Sequence, residues 1–109
     1  MSKARVLIID DEMLARSIIK KYVQNNDQIE LLGECTNGFE GIKSVNELKP
    51  DIIFLDIQMT KLTGFEMIEL LDHKPQIIFS TAYDQYAIKA FEVNATDYLL
   101  KPFSLDRFN

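Results

Sequence analysis

Five short apolar runs recur along the chain: Val6-Leu7-Ile8-Ile9, Ile29-Glu30-Leu31-Leu32, Ile52-Ile53-Phe54-Leu55, Ile77-Ile78-Phe79 and Tyr98-Leu99-Leu100. Four are near-continuous rather than alternating, the pattern of parallel strands covered on both faces. The second alternates less cleanly and reads as an edge strand. Between the runs the apolar spacing changes to threes and fours. Leu14, Ile18, Ile19, Tyr22 and Val23 fall on one face of a helix predicted over residues 12–25. Phe39, Ile42, Val45 and Leu48 form a second stripe, ended by Pro50. Phe65, Ile68 and Leu71 mark a third helix. Ala87, Ala90, Phe91 and Val93 mark a fourth, with Asp84 as its N-cap. Strands alternating with helices predict one α/β domain with right-handed crossovers. Ser104, Leu105 and Phe108 begin a last helix that the chain does not complete before Asn109. That helix is expected to leave the Ile77–Phe79 and Tyr98–Leu100 runs uncovered and so to favour self-association.

In an open α/β sheet, ligands bind at the carboxyl ends of the strands, where strand order reverses. The first run delivers Asp10, Asp11 and Glu12 there, the third Asp56, the fourth Ser80 and Thr81, and the fifth Lys101. With the first and third strands adjacent, as in the common 2-1-3-4-5 order, Asp10 and Asp11 face Asp56. Three clustered carboxylates repel one another unless a proton or a cation intervenes. Oxygen donors without His or Cys select Mg²⁺ or a similar hard ion. Lys101 adds positive charge and Thr81 a hydroxyl donor, which suits the oxygens of a transferring phosphoryl group. A carboxylate can itself be the covalent acceptor. Singly, each residue has a blander reading: an Asp after a strand is usually a turn or a cap, and a Lys before Pro is usually solvated. Their joint placement at one end of four strands is what carries the chemistry.

Composition narrows the rest. The chain has 109 residues, room for one small domain, and no apolar run near the ~20 residues of a membrane span. A net charge of -5 argues against nucleic-acid binding by this segment. Cys35 is the single cysteine and has no disulfide partner within the chain. Without an export signal, a reducing cytoplasm is the expected location. Cys35 reads as a small strand residue, and His73, between Asp72 and Lys74, as a solvated loop residue.

The segments Ile8-Ile9-Asp10-Asp11-Glu12, Phe54-Leu55-Asp56-Ile57-Gln58-Met59, Phe79-Ser80-Thr81-Ala82 and Tyr98-Leu99-Leu100-Lys101-Pro102-Phe103 resemble, in order, the four signature stretches of response-regulator receiver domains. The likeness covers residues 1–109. Thr81-Ala82-Tyr83-Asp84-Gln85-Tyr86-Ala87, with Ala90-Phe91 and Asp97-Tyr98, resembles the LytTR-type (LytR/AlgR) branch. The resemblance implies a flavodoxin-like (βα)5 fold with a five-stranded parallel sheet in the order 2-1-3-4-5, its last helix truncated. It implies that Asp56 is the nucleophile and the site of phosphorylation. It implies that Asp11, Asp56 and the backbone carbonyl of Gln58 ligate Mg²⁺, with Asp10 acting through water. Thr81 and Lys101 would contact the phosphoryl oxygens, and Thr81 and Tyr98 would form the switch. The implied phosphoryl donor is a sensor histidine kinase. A homodimer or other self-association is expected from the incomplete last helix, not from the resemblance, and DNA is reached only through a C-terminal LytTR domain absent from this sequence. Such a domain is a phosphoacceptor that catalyses its own phosphoryl transfer and autodephosphorylation, rather than an enzyme in the ordinary sense.

Thr60 stands where many members of the family have Pro, so the loop before Gly64 is expected to be more mobile. The Lys101–Pro102 bond is expected to be cis. Three rivals fit less well. A flavodoxin-like electron carrier would present Ser, Thr and Gly after the first strand. A haloacid-dehalogenase-type phosphatase needs an acid two residues beyond its nucleophile, where Gln58 stands. A purely structural interaction domain gives no reason for the acids, Thr81 and Lys101 to converge; the alternative within the receiver reading is a stand-alone receiver acting by protein contact.

Overall fold

A computed structural model describes residues 3–59, 61–72, 74–81 and 97–100, with residue 81 and residues 97–100 by backbone alone. The elements are β1 (Ala4–Ile9), α1 (Met13–Gln24), β2 (Ile29–Cys35), α2 (Gly38–Leu48), β3 (Ile52–Asp56), α3 (Gly64–Glu69), β4 (Gln76–Thr81) and β5 (Asp97–Leu100). The strands pair in parallel in the order β2-β1-β3-β4-β5. Thr60, His73, the expected fourth helix, Lys101 with its bond to Pro102, and the expected last helix lie outside the described residues. Among the described residues, no helix is long and apolar enough to cross a membrane.

The near-continuous apolar runs have the predicted cause: both faces of the sheet are covered. Val6, Ile8 and Phe54 point to one face and pack with Ile19 and Val23 of α1. Leu7, Ile9, Ile53, Leu55, Ile77 and Phe79 point to the other, against Val45 of α2 and Phe65, Met67 and Ile68 of α3. Phe65 meets Phe79 edge-on at 5.0 Å and 60°. Right-handed crossovers produce this division, because the chain reverses direction across the sheet after α1.

The weak alternation of the second run also has a cause. β2 lies at the sheet edge, and its register with β1 steps from Val6↔Leu31 to Leu7↔Gly33, leaving Leu32 as an inserted residue. A one-residue insertion exchanges the faces of everything after it. Ile29 and Leu31 therefore pack on the α1 side, while Cys35 joins the α2 side. The same step turns Glu34 toward α1, where it meets Arg16 and Lys20.

Three expectations need correction. Phe39 and Leu48, placed in the buried stripe of α2, are exposed, whereas Gly38, Gly41 and Val45 of that helix are buried. Leu14 of α1 is exposed too, and Ala15, Ile19 and Val23 carry its burial. Of the Ile77–Phe79 run, expected to be left uncovered, Ile77 and Phe79 are buried because they sit on the α3 side of the sheet, and Ile78 on the α1 side is half-buried. Leu71 lies beyond the end of α3 yet is buried. Lys74 Nζ donates to the carbonyl of Ile68 at 3.0 Å and so caps this short helix.

α2 is fixed at both ends. The Asn37 side chain accepts from the Glu40 amide at 2.9 Å, and the Glu40 carboxylate accepts from the Thr36 amide and hydroxyl at 2.7 and 2.9 Å. The Thr36 amide, then its hydroxyl, hold the Glu40 carboxyl below the usual carboxylate range. At the other end Lys49 turns left-handed at φ 49. Arg5 donates to the carbonyls of Leu48 and Lys49 at 2.7 and 3.0 Å, placing a positive charge at the negative end of the helix.

Candidate functional site

The carboxyl ends of β1 and β3 are neighbours, with Ile9 paired to Leu55. Asp10 follows the first and Asp56 ends the second. Asp10 is 1% exposed and Asp56 3%, while Asp11 lies open to solvent. One carboxylate oxygen from each of Asp10, Asp11 and Asp56 lies within 4.8 Å of the others. At that separation each pair of charges repels by about 3 kcal/mol for an effective dielectric near 20. The cluster therefore favours a bound cation. All its donors are hard carboxylate oxygens, and the open side at Asp11 leaves room for water. This set fits a small divalent ion such as Mg²⁺.

Hydrogen bonds fix the backbone at Asp10 and just beyond Asp56. The Asp10 amide donates to Cys35 O at 3.0 Å, continuing the β1–β2 pairing past the strand. Its Oδ1 accepts from the Glu12 amide at 2.9 Å, which closes a tight turn on the residue's own side chain. Arg16 Nη1 donates to the Asp10 carbonyl at 2.8 Å. On the β3 side, the Ile57 amide donates to Ser80 O at 3.2 Å, so the β3–β4 ladder extends past Asp56.

The loop after Asp56 is drawn inward. Ile57, Met59 and Leu62 are buried, and the Gly64 amide donates to Ile57 O at 2.8 Å. A Cβ at Gly64 would lie 2.5 Å from the Asp56 carbonyl oxygen and 3.2 Å from the Ile57 Cα. Only glycine lets α3 start so close to the acid-bearing strand. Thr63 and Glu66 form a reciprocal capping box at that start. Thr60 lies outside the described residues, and so does the mobility expected from it.

The structure thus brings together Asp10, Asp11 and Asp56, with exposed Gln58 two residues beyond Asp56. The backbone puts Thr81 one residue past Ser80, the register partner of Asp56, at the same sheet edge. Tyr98 pairs with Phe79 in the next strand. The side chains of Thr81, Tyr98 and Lys101 are not among those described. Arg16 and Gly64 went unnoticed in the sequence. An Arg in the first turn of a helix and a Gly at the start of one are common, and neither signals what it touches.

The chain is similar in sequence and fold to known proteins. The sequence profile of the family described as "Response regulator receiver domain" matches residues 6–109. The chain is 55% identical over 100 residues to the transcriptional regulatory protein BtsR of Escherichia coli K12, covering 90% of this chain and 42% of that protein. It is 53% identical over 105 residues to BtsR of Salmonella typhimurium, covering 94% and 44%. An uncharacterized response regulatory protein of Vibrio cholerae is 50% identical over 103 residues, covering 93% and 44%. The chain thus spans less than half the length of these relatives. The crystal structure of the response regulatory domain of mrkE from Klebsiella pneumoniae superposes with a TM-score of 0.85 at 36% identity, covering 95% of this chain and 88% of that one. The response regulator domain of Thermotoga maritima CheB gives 0.83 at 28% identity, covering 94% and 81%. The acids at the switch point, the parallel sheet around them and these likenesses lead to one assignment: the chain belongs to the response-regulator receiver-domain family.

Proposed function

We propose that residues 1–109 form the phosphoryl-accepting receiver of a two-component response regulator, with Asp56 as the residue modified. The observation that carries this reading is the buried Asp56 carboxylate at the end of β3, within 4.8 Å of Asp10 and Asp11. A sensor histidine kinase is the donor that family membership implies. An Asp56 carboxylate oxygen attacks the phosphorus, and the bond from phosphorus to the kinase imidazole nitrogen breaks, its electrons returning to the ring. No proton need move on Asp56, so a buried, ionised carboxylate suffices as the nucleophile. Asp11, Asp56 and the Gln58 carbonyl would hold Mg²⁺, with Asp10 acting through water, and the ion would offset the charge on the acids and on the phosphoryl oxygens. Lys101 and the Thr81 hydroxyl take the remaining phosphoryl oxygens. Hydrolysis of the acyl phosphate at the same site resets the domain.

Readout follows from Thr81 moving toward the phosphoryl group and Tyr98 turning into the space it leaves. This is a population shift biased by contacts made only in the active state. The side of the sheet bearing β5 then carries the readout, and the active form pairs with a second copy. The relatives are named as transcriptional regulators and are more than twice as long, which favours an output domain beyond residue 109; that this domain is of LytTR type, binds DNA and works in the cytoplasm rests on the resemblance of the sequence to the LytTR branch. A stand-alone receiver acting by protein contact is the alternative. Phosphotransfer tests the proposal: a labelled sensor kinase should lose its label to this chain in Mg²⁺ and keep it in chelator. Transfer that persists in the Asp56→Asn chain would remove the reading.

A further inference from the structure

We infer that Arg16 is a positioning residue for the cation site, acting by fixing the peptide that joins Asp10 to Asp11. This deepens the proposed function and rests on it. Arg16 Nη1 donates to the Asp10 carbonyl at 2.8 Å. That carbonyl belongs to the peptide whose orientation sets ψ of Asp10 and φ of Asp11. Holding it sets the direction in which both carboxylates leave the backbone. The guanidinium is itself held, because its Nε lies 3.5 Å from Glu34 Oε1 and its side chain is 15% exposed. Glu34 also pairs with Lys20 at 3.1 Å. The chain of contacts therefore runs from the edge strand, through one rigid planar fork, to the turn that carries the acids.

Two features show that the arrangement is specific. Glu34 reaches the α1 side only because the inserted Leu32 shifts the register of β2; without that step it would face the opposite way. In addition, two contacts converge on Asp10 at the turn between β1 and α1: the Glu12 amide donates to its Oδ1 at 2.9 Å and Arg16 Nη1 to its carbonyl at 2.8 Å. Groups that orient metal ligands without touching the metal commonly change affinity by ~10–100-fold when removed.

Charge and positioning predict opposite signs here, which makes the inference decidable. Arg16 is a cation near three carboxylates, so if it acted only through its field, removing it would tighten metal binding. If it positions the turn, removing it weakens binding. Mn²⁺ affinity, followed through the electron paramagnetic resonance signal of the free ion, is measured for the wild-type chain, Arg16→Met and Arg16→Lys. Methionine keeps the stem without the charge, and lysine keeps the charge without the fork. Glu34 retains Lys20 in both. The expected result is a dissociation constant raised by ~10-fold or more for Arg16→Met and by a smaller factor for Arg16→Lys. In metal-free protein, hydrogen exchange at the Glu12 amide should be faster in both variants, with cooperative melting preserved. Unchanged or tighter Mn²⁺ binding in the variants overturns the inference. Failure of the wild-type chain to bind Mn²⁺ at millimolar concentration overturns the cation-site reading instead. Should Arg16→Met not fold, wild-type affinity in Arg16→Lys is enough to sink the inference.

Discussion

At the scale of single residues, the site depends on neighbours that carry no charge. Gly64 lies against the Asp56 carbonyl with no room for a methyl group. Gly64→Ala must push α3 or the β3 end outward, at an expected cost of ~1–3 kcal/mol, read as a lower urea midpoint. It should also slow modification of Asp56, since the loop after it moves. Cys35 has a different pH signature. Burial pushes its thiol up, the Ser44 hydroxyl at 3.4 Å pulls it partly back, and Glu40 adds to the rise. The folded state therefore holds the thiol proton more tightly than the unfolded chain does. The resulting stabilisation is complete below the ordinary thiol value of 9.0 and is lost as pH climbs above it toward the folded value. Two measurements check this: native Cys35 should resist alkylation at pH 8 while urea-unfolded protein reacts, and Cys35→Ala should flatten the alkaline fall in stability. The three acids were legible in the sequence because each follows an apolar run at a strand end. Gly64 and Arg16 were not, since their significance lies in a backbone atom reached across the fold.

At the scale of elements, α2 shows how apolar spacing can mislead. Its stripe of Phe39, Ile42, Val45 and Leu48 pointed to a core face, but the helix packs through Gly41 and Val45. A Cβ at Gly41 would meet Met67 Sδ at 2.9 Å and Ile9 Cδ1 at 3.0 Å. The helix approaches the sheet along its glycines, which a hydrophobic pattern does not register, and this rotates Phe39 outward to 58% exposure. Phe39→Ala should then change stability by no more than ~0.5 kcal/mol, whereas Val45→Ala should cost ~2 kcal/mol. Comparable losses in urea melts would restore the sequence-based face. The C-terminus of the same helix offers a gain. Lys49 is left-handed at φ 49, and the Arg5 bonds there use backbone carbonyls alone. Lys49→Gly removes the strain and keeps those bonds, so it should stabilise the chain by ~1 kcal/mol. A lower melting midpoint would show that the Lys49 side chain contributes more than its backbone costs.

At the scale of the whole molecule, the α/β class and the parallel pairing were readable from continuous apolar runs separated by helical spacing, whereas the adjacency of β1 and β3 followed from the family resemblance and not from the pattern. The division of faces follows from crossover handedness: α1 covers one side, and α2 and α3 the other. The expected loss of cover concerns one parity of the fourth run alone, since Ile77 and Phe79 face α3 and Ile78 faces the α1 side. The β2 insertion was equally hidden, because Leu32 differs from its neighbours only in having no register partner. All of this architecture serves one arrangement, a carboxylate held dry beside two others at a sheet switch point. The most direct test is intact mass after incubation with a small phosphodonor. The wild-type chain should gain one phosphoryl group in Mg²⁺, and it should gain none in chelator or in the Asp56→Asn variant. An equal gain in Asp56→Asn, or one indifferent to chelator, would contradict the account.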